Sequence, residues 1–118
     1  MKHALIFSAF LFVAVITPAF AHAHLASAVP AGVATLTAPP TTLTLKFTEA
    51  IELAFSGANV RGPSGPVALR PGHLDPADLE TLVIPFDGPL MAGTYVVDWH
   101  SLSTDGHKTT GTYSFTVK

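Results

Sequence analysis

The pattern that most constrains the fold is the alternation of apolar and polar residues between positions 41 and 49. Leu43, Leu45 and Phe47 occupy every second position, while threonines and Lys46 lie between them. Successive side chains of a β-strand point to opposite faces, so this pattern predicts a strand with one buried face and one solvated face. Such strands are typical of antiparallel sheets that have water on one side.

Similar short runs of apolar or β-branched residues follow along the chain, separated by Gly, Pro and Asp-Gly turn signals. The predicted strands cover residues 22–29, 41–49, 58–61, 67–70, 81–86, 93–103 and 108–118. Residues 30–40 and 71–80 are expected to form loops, and residues 51–55 are too short a run to assign. Short strands between turns, with no convincing helix in the domain, predict an all-β fold: a Greek-key antiparallel β-sandwich or barrel of about seven strands, immunoglobulin-like or cupredoxin-like.

The last two predicted strands show which side chains should form the core. In each of them, aromatic and apolar residues recur at every second position, so they share one face. The predicted core residues from these strands are Tyr95, Val97, Trp99, Tyr113, Phe115 and Val117. Because Trp99 lies in this series, we expect its ring to pack inside the sandwich.

Residues 1–21 have the features of a cleavable secretory signal. Lys2 precedes an apolar run over residues 4–16, and Pro18 follows it. Ala19 and Ala21 then occupy the two small-residue positions of an A-x-A cleavage site. Cleavage after Ala21 predicts a single domain of residues 22–118, which is exported from the cytoplasm.

This cleavage would make His22 the first residue of the mature protein. Ala21-His22-Ala23 is itself an A-x-A sequence, so cleavage after Ala23, which would put His24 first, stays open. The α-amine and ring Nδ1 of an N-terminal His can close a chelate ring on one metal ion. An unperturbed α-amine has a pKa of about 7.7–8.0 and an imidazole one of about 6.5, so a metal displaces both protons easily near neutrality.

Composition excludes several classes of function and of site. The net charge of −2 becomes −3 when Lys2 is removed, which argues against nucleic acid and against a polybasic membrane anchor. The chain has no Cys. The domain therefore has no disulfide, lacks the usual structural zinc ligands and the best Cu(I) ligand, and must be stabilised by its own core.

A second candidate stretch is Ser103-Thr104-Asp105-Gly106-His107. Asp-Gly between two β runs is a strong hairpin signal, and by this structural interpretation His107 is an exposed residue after a turn. The same turn places a carboxylate and an imidazole two residues apart on a rigid support. Together with His22 they make a nitrogen-rich ligand set with one oxygen, which favours Cu(II), then Ni(II), and does not exclude Zn(II).

Motifs along the whole mature chain resemble those of the CopC-type periplasmic copper-binding proteins. These motifs are His22-Ala23-His24-Leu25, Ser27-x-x-Pro30-Ala31, Leu45-x-Phe47-Thr48-Glu49, Phe55-Ser56, Pro89-Leu90-x-Ala92-Gly93-x-Tyr95-x-Val97-x-Trp99, Ser103-x-Asp105-Gly106-His107 and Gly111-x-Tyr113-x-Phe115-x-Val117. The resemblance implies a seven-stranded Greek-key domain that binds Cu(II) near one end.

The resemblance also implies roles for individual residues. It carries the copper site over to the amine and ring of His22, to Asp105 and to His107, with Glu49 as a weak ligand or a neighbour of the ligands. It further implies a monomeric copper carrier or buffer for copper homeostasis and resistance in the periplasm, without catalysis, and a membrane copper transporter of the CopD type as its partner. Some members have a methionine-rich Cu(I) loop, whereas only Met91 follows residue 21 here.

Other interpretations stay open. His24, in third position after a free amine, could bind Cu(II) or Ni(II) through the flexible peptide alone, or act as an auxiliary ligand. His73 and His100 are expected to be solvated surface residues. The alternative functions are a copper redox enzyme of the histidine-brace kind and a β-sandwich interaction module that binds no metal.

Overall fold

The computed structural model describes Ala9 and residues 23–118. These residues contain nine strands, which form two sheets. The strands are β1 (Leu25–Val29), β2 (Thr35–Leu36), β3 (Thr42–Phe47), β4 (Gly57–Gly62), β5 (Gly65–Pro66), β6 (His73–Asp75), β7 (Asp78–Pro85), β8 (Gly93–Leu102) and β9 (Lys108–Val117). One sheet has the order β1-β3-β7-β6 and the other has the order β2-β9-β8-β4-β5. A 3-10 turn at Leu53–Phe55 is the only helical element in these residues.

The two sheets face each other as a sandwich, which confirms the predicted fold class. All neighbouring strands are antiparallel except β2, which pairs with β9 in parallel. Consecutive strands repeatedly lie in opposite sheets, the kind of connection expected of a Greek key. Because β2 and β5 have two residues each, seven longer strands remain among the described residues; this agrees with the predicted number, although β6 stands in place of the strand predicted at residues 67–70.

The core lies where the alternating patterns placed it. Leu43, Leu45 and Phe47 are fully buried on one face of β3. Trp99 is also buried, and its ring meets that of Phe47 edge to face at a centroid distance of 5.5 Å. The Trp99 ring covers Gly111 on the neighbouring strand so closely that a Cβ there would lie 2.4 Å from Cζ2.

The remaining predicted core residues follow the same pattern. The rings of Tyr95 and Phe115 stack at 5.3 Å, and Val97 and Val117 are buried beside them. Tyr113 is half-buried rather than buried. The predicted inner face of the last two strands is therefore confirmed.

Three local predictions are wrong. Residues 71–80 were expected to form a loop, but they contain β6 and the start of β7. Residues 67–70 form no strand; the partner of β4 is β5 at Gly65–Pro66, and Leu69 makes only an isolated bridge to Phe86. Within the expected loop 30–40, residues 35 and 36 form β2 because they pair with the end of β9.

Most segments that bear the predicted site residues lie at one end of the sandwich, which we call the hairpin end. It consists of the β8–β9 turn (residues 103–107), the segment 48–56 after β3, the β6–β7 turn and the residues just before β1. Ile51 bridges to Ser103, and Lys46 near the end of β3 pairs with Thr81 near the start of β7. The strand predicted over residues 22–29 is confirmed over Leu25–Val29 as β1, which lies at the edge of its sheet.

The predicted signal segment, apart from Ala9, and His22 lie outside the described residues. Within the described residues, the structure has no helix with the length and apolar character needed to cross a membrane.

Candidate metal centre

The β8–β9 turn brings Asp105 and His107 together. The turn is closed by backbone hydrogen bonds, in which Ser103 N donates to His107 O at 2.9 Å and Gly106 N donates to Ser103 O at 2.9 Å. Gly106 has a φ of 93°, a left-handed conformation that favours glycine over any residue with a Cβ. The predicted turn is therefore confirmed, and the Asp-Gly pair makes it.

The buried side chain of Ser103 stabilises this turn through hydrogen bonds. Its side chain is almost fully buried, and its Oγ accepts a hydrogen bond from His107 N at 3.1 Å. The same hydroxyl donates a short hydrogen bond to Asp105 Oδ1. One buried hydroxyl thus connects the carboxylate to the backbone of the imidazole-bearing residue.

Asp105 and His107 also contact each other directly. Asp105 Oδ1 lies 3.1 Å from His107 Nδ1. The Ser103 hydroxyl, and after it His107, lower the pKa of the Asp105 carboxyl below its usual value, so that carboxyl is ionised at neutral pH. A carboxylate and an imidazole that lie this close on one rigid turn are a combination of groups common beside bound metals.

The start of the described chain is held at the base of the same hairpin. Ala23 is fully buried, and its carbonyl oxygen accepts hydrogen bonds from Ser101 Oγ at 3.2 Å and from Thr109 Oγ1 at 2.6 Å. Ser101 and Thr109 are paired residues of β8 and β9. The backbone immediately after residue 22 is therefore anchored beside the turn that bears Asp105 and His107.

His24 and Glu49 lie at this end as well. His24 N donates to Thr48 Oγ1 at 3.0 Å, and Thr48 N donates to His24 O at 2.8 Å. On the other side of Glu49, Ala50 O accepts from Thr104 N at 3.1 Å. The backbone of Glu49 is thus fixed between the N-terminal segment and the β8–β9 turn.

The structure brings some of the predicted site residues together and does not describe one of them. Asp105 and His107 meet, and His24 and Glu49 lie at the same end, but His22 is outside the described residues and its role stays a prediction. Among the residues that are described, no three His, Cys, Asp or Glu side chains are grouped closely enough to hold a metal ion. Sequence reasoning missed the roles of Ser101, Ser103 and Thr109, although Ser103 belongs to the motif that singled out the turn.

The two other histidines of the domain are exposed, as predicted. His73 lies in β6 rather than in a loop, and it pairs with Val83. His100 lies on β8, where its ring covers Gly57.

Comparison with known proteins identifies the family. The CopC domain matches residues 25–118, which is most of the chain. The chain belongs to the CopC family. Protein YobA of Escherichia coli strain K12 is 44% identical over 112 residues, covering 93% of this chain and 90% of that protein. Copper resistance protein C of Escherichia coli is 41% identical over 111 residues, covering 85% and 84% of the two chains.

A solved structure of the CopC family has the same fold. The crystal structure of PcoC, a methionine-rich copper resistance protein from Escherichia coli, superimposes with a TM-score of 0.75 at 40% identity, and the match covers 83% of this chain and 100% of PcoC. PcoC is described as methionine-rich, whereas this CopC-family chain has two methionines in all.

Proposed function

We propose that this CopC-family protein binds Cu(II) in the periplasm and acts as a copper carrier or buffer in copper homeostasis and resistance. The observation that carries the proposal is the contact between Asp105 and His107, held by Ser103, beside the anchored backbone of Ala23. Copper is the cargo here, and no catalytic turnover is proposed.

The proposed ligands are the amine and ring Nδ1 of His22, the imidazole of His107 and a carboxylate oxygen of Asp105. Consecutive Cα atoms lie about 3.8 Å apart, so the anchor at Ala23 restricts where a residue bonded to it can be. Three nitrogens and one oxygen suit the tetragonal preference of Cu(II). Glu49 and His24 are proposed as auxiliary ligands or as neighbours that orient the ligands.

The location and the partner are proposed from the predicted signal segment and from the family to which the chain belongs. Export and cleavage after Ala21 would release the domain into the periplasm. There it is proposed to bind copper ions as a monomer. A membrane copper transporter of the CopD type is the proposed partner.

The test is a Cu(II) competition titration on single variants. Because preorganised ligands lose little freedom on binding, His107→Ala should weaken Cu(II) binding strongly, Asp105→Ala should also weaken it, and His24→Ala should have a smaller effect. His100→Ala is the matched control, since it removes an exposed histidine outside the proposed ligand set.

A site formed by the flexible N-terminal peptide would give the inverse order. In that case His24→Ala would be the damaging change and His107→Ala would have no effect. Circular dichroism of each variant should show that the fold is kept. Unchanged Cu(II) affinity in a folded His107→Ala variant would rule out the folded site.

A further inference from the structure

An exposed apolar turn, Leu53–Phe55, lies at the hairpin end of the sandwich. None of its three residues is buried: Phe55 is 64% exposed and Leu53 is 40% exposed. Leu53 also lines a cleft between the sheets together with Leu82 and Ile84, so part of its side chain supports the fold. Phe55 is the most exposed aromatic residue of this end, and it is a candidate contact for another molecule.

The apolar turn is fixed to the strand that leads into the proposed copper site. Glu52 N donates to Leu102 O at 2.8 Å, and Leu102 N donates to Ser56 Oγ at 3.0 Å. Both ends of the turn are therefore bonded to the residue directly before Ser103. The turn consequently holds Phe55 outward on a segment that is bonded to β8 directly before the β8–β9 turn.

The hairpin end carries more acidic than basic residues, and Arg70, which lines the cleft beside Leu53, is paired with Asp87. Six of the eight Asp and Glu residues lie on segments of the hairpin end: Glu49, Glu52, Asp75, Asp78, Glu80 and Asp105. Lys46 contacts Asp78 and Glu80, and Lys108 begins β9 at the same end. Within the described part of the chain, Glu52 forms no ion pair, and because it is exposed at the start of the turn its carboxylate is available to a partner.

We propose that the apolar turn, with Glu52 at its rim, is a docking surface for a protein that receives the copper. The partner should present an apolar pocket for Phe55, surrounded by Lys or Arg, because opposite charge steers association and fixes orientation. An anionic membrane would be repelled by the same carboxylate. Only the identity of the cargo rests on the proposed copper function; the contact itself does not.

Docking at this surface would place the acceptor beside the ligands. The two residues that flank the apolar turn, Glu52 and Ser56, are bonded to Leu102, and the β8–β9 turn closes on the next residue, Ser103. A partner held on Phe55 could then replace Asp105 and His107 as copper ligands one at a time. The copper changes ligands in this step and keeps its oxidation state, so no electron donor or acceptor is needed.

The probe is a synthetic amphipathic helical peptide with Leu on one face and Lys on both flanks. NMR titration of the copper-free protein should shift the backbone amides of residues 52–56 and 102, and raising the salt concentration should weaken the binding. Phe55→Ser should weaken it about tenfold, as expected for losing the burial of one aromatic side chain. Glu52→Lys should weaken it as well.

Met91→Ser is the matched control. Met91 is exposed to a similar degree, 58%, but it precedes β8 at the opposite end of the strand, roughly 30 Å away for a ten-residue strand. This change should leave the peptide affinity unchanged. A peptide whose lysines are replaced by Glu should fail to bind.

In the peptide titration, the proposal is overturned by no amide shifts, by shifts located away from the apolar turn, or by equal affinity for the Lys and Glu peptides. Sedimentation with zwitterionic phosphatidylcholine vesicles that depends on Phe55 would instead identify a membrane contact and would also overturn it. Cu(II) titration of Phe55→Ser separates this test from the copper proposal, because Phe55→Ser should bind Cu(II) as tightly as the unchanged protein.

Discussion

At the scale of single residues, Ser103 determines how the candidate ligands are presented. Its buried hydroxyl contacts Asp105 Oδ1 and the backbone N–H of His107 at once. A hydrogen bond to a carboxylate favours its charged form, which is the form that binds a metal cation. The geometry of the Asp105–His107 pair therefore depends on a residue that need not touch copper itself.

We expect Ser103→Ala to lower both stability and Cu(II) affinity. The variant leaves the N–H of His107 without its partner, which should cost about 1–3 kcal/mol of unfolding free energy. Removing a partner that orients a metal ligand typically weakens metal binding about 10–100-fold. Urea unfolding and Cu(II) competition measure the two effects, and Thr104→Ala, at the exposed neighbouring position, is the control. Lower stability with unchanged Cu(II) affinity would mean that Ser103 only closes the turn.

At the scale of strands, the alternation of apolar and polar residues correctly predicted the features that depend on neighbouring residues alone. Leu43, Leu45 and Phe47 are buried as expected, and the Asp-Gly turn joins β8 to β9. In contrast, β2 exists because its two residues pair with the far end of the chain, which no local pattern reveals.

The segment 71–80 was misassigned because its polar residues have partners that only the fold supplies. Asp75 Oδ1 accepts from Ala77 N at 2.9 Å in the turn between β6 and β7. Asp78 binds Lys46 of the neighbouring strand. Their polarity therefore indicated a loop, although both residues belong to strands.

In the candidate site, too, contacts between neighbouring residues were predictable from the sequence, and contacts between distant residues were not. The pairing of Asp105 with His107 follows from a five-residue motif and was predicted. The anchoring of Ala23 by Ser101 and Thr109 joins residues about eighty positions apart, so it became visible only in the fold.

The contact between β8 and β9 leads to a prediction about packing. In Gly111→Ala the new Cβ would lie 2.4 Å from the Trp99 ring, so the ring must move. Overpacking of this kind typically costs about 1–3 kcal/mol. Urea unfolding should show the loss, and the tryptophan fluorescence should change with it.

Gly32→Ala is the control for this packing prediction. A Cβ there meets Tyr113 at 3.9 Å, an ordinary contact, so little stability should be lost. Combining Gly111→Ala with Trp99→Phe should give less than the sum of the two single losses, because the smaller ring leaves room for the methyl group. Simple additivity would contradict the proposed clash.

At the scale of the whole molecule, charge at the hairpin end links stability to pH. Asp78 Oδ2 contacts Lys46 Nζ at 2.5 Å and accepts from Thr81 Oγ1 at 2.7 Å, and Glu80 N donates to Oδ1 at 3.1 Å. Lys46 first, then Thr81 and the backbone of Glu80, lower the pKa of Asp78 to about 2. The same contact with Asp78 raises the pKa of Lys46.

We expect Asp78 to make the domain less stable in acid. An Asp in the unfolded chain titrates at about pH 3.9, so between that pH and about 2 the unfolded state binds more protons. The stabilisation by Asp78 is therefore complete above about pH 4 and is lost as the pH falls toward 2.

Urea unfolding at a series of pH values measures this loss. Asp78→Asn should be less stable than the unchanged protein at neutral pH, and the difference should shrink through that window. Lys46→Met should reduce the same slope, and the two changes together should be less than additive. A constant difference between Asp78→Asn and the unchanged protein at all pH values would contradict this assignment.

The start of the mature chain decides whether the whole molecule can bind Cu(II) as proposed. N-terminal sequencing of the exported protein should begin at His22, because only that start gives His22 a free α-amine that can chelate copper together with its own ring and with Asp105 and His107. A start at His24 would contradict the assignment of His22. One extra residue placed before His22 moves the amine away, and it should weaken Cu(II) binding by more than about tenfold, since losing even a residue that supports a ligand costs that much. One extra residue after Lys118 is the matched control, and it should leave the Cu(II) affinity unchanged.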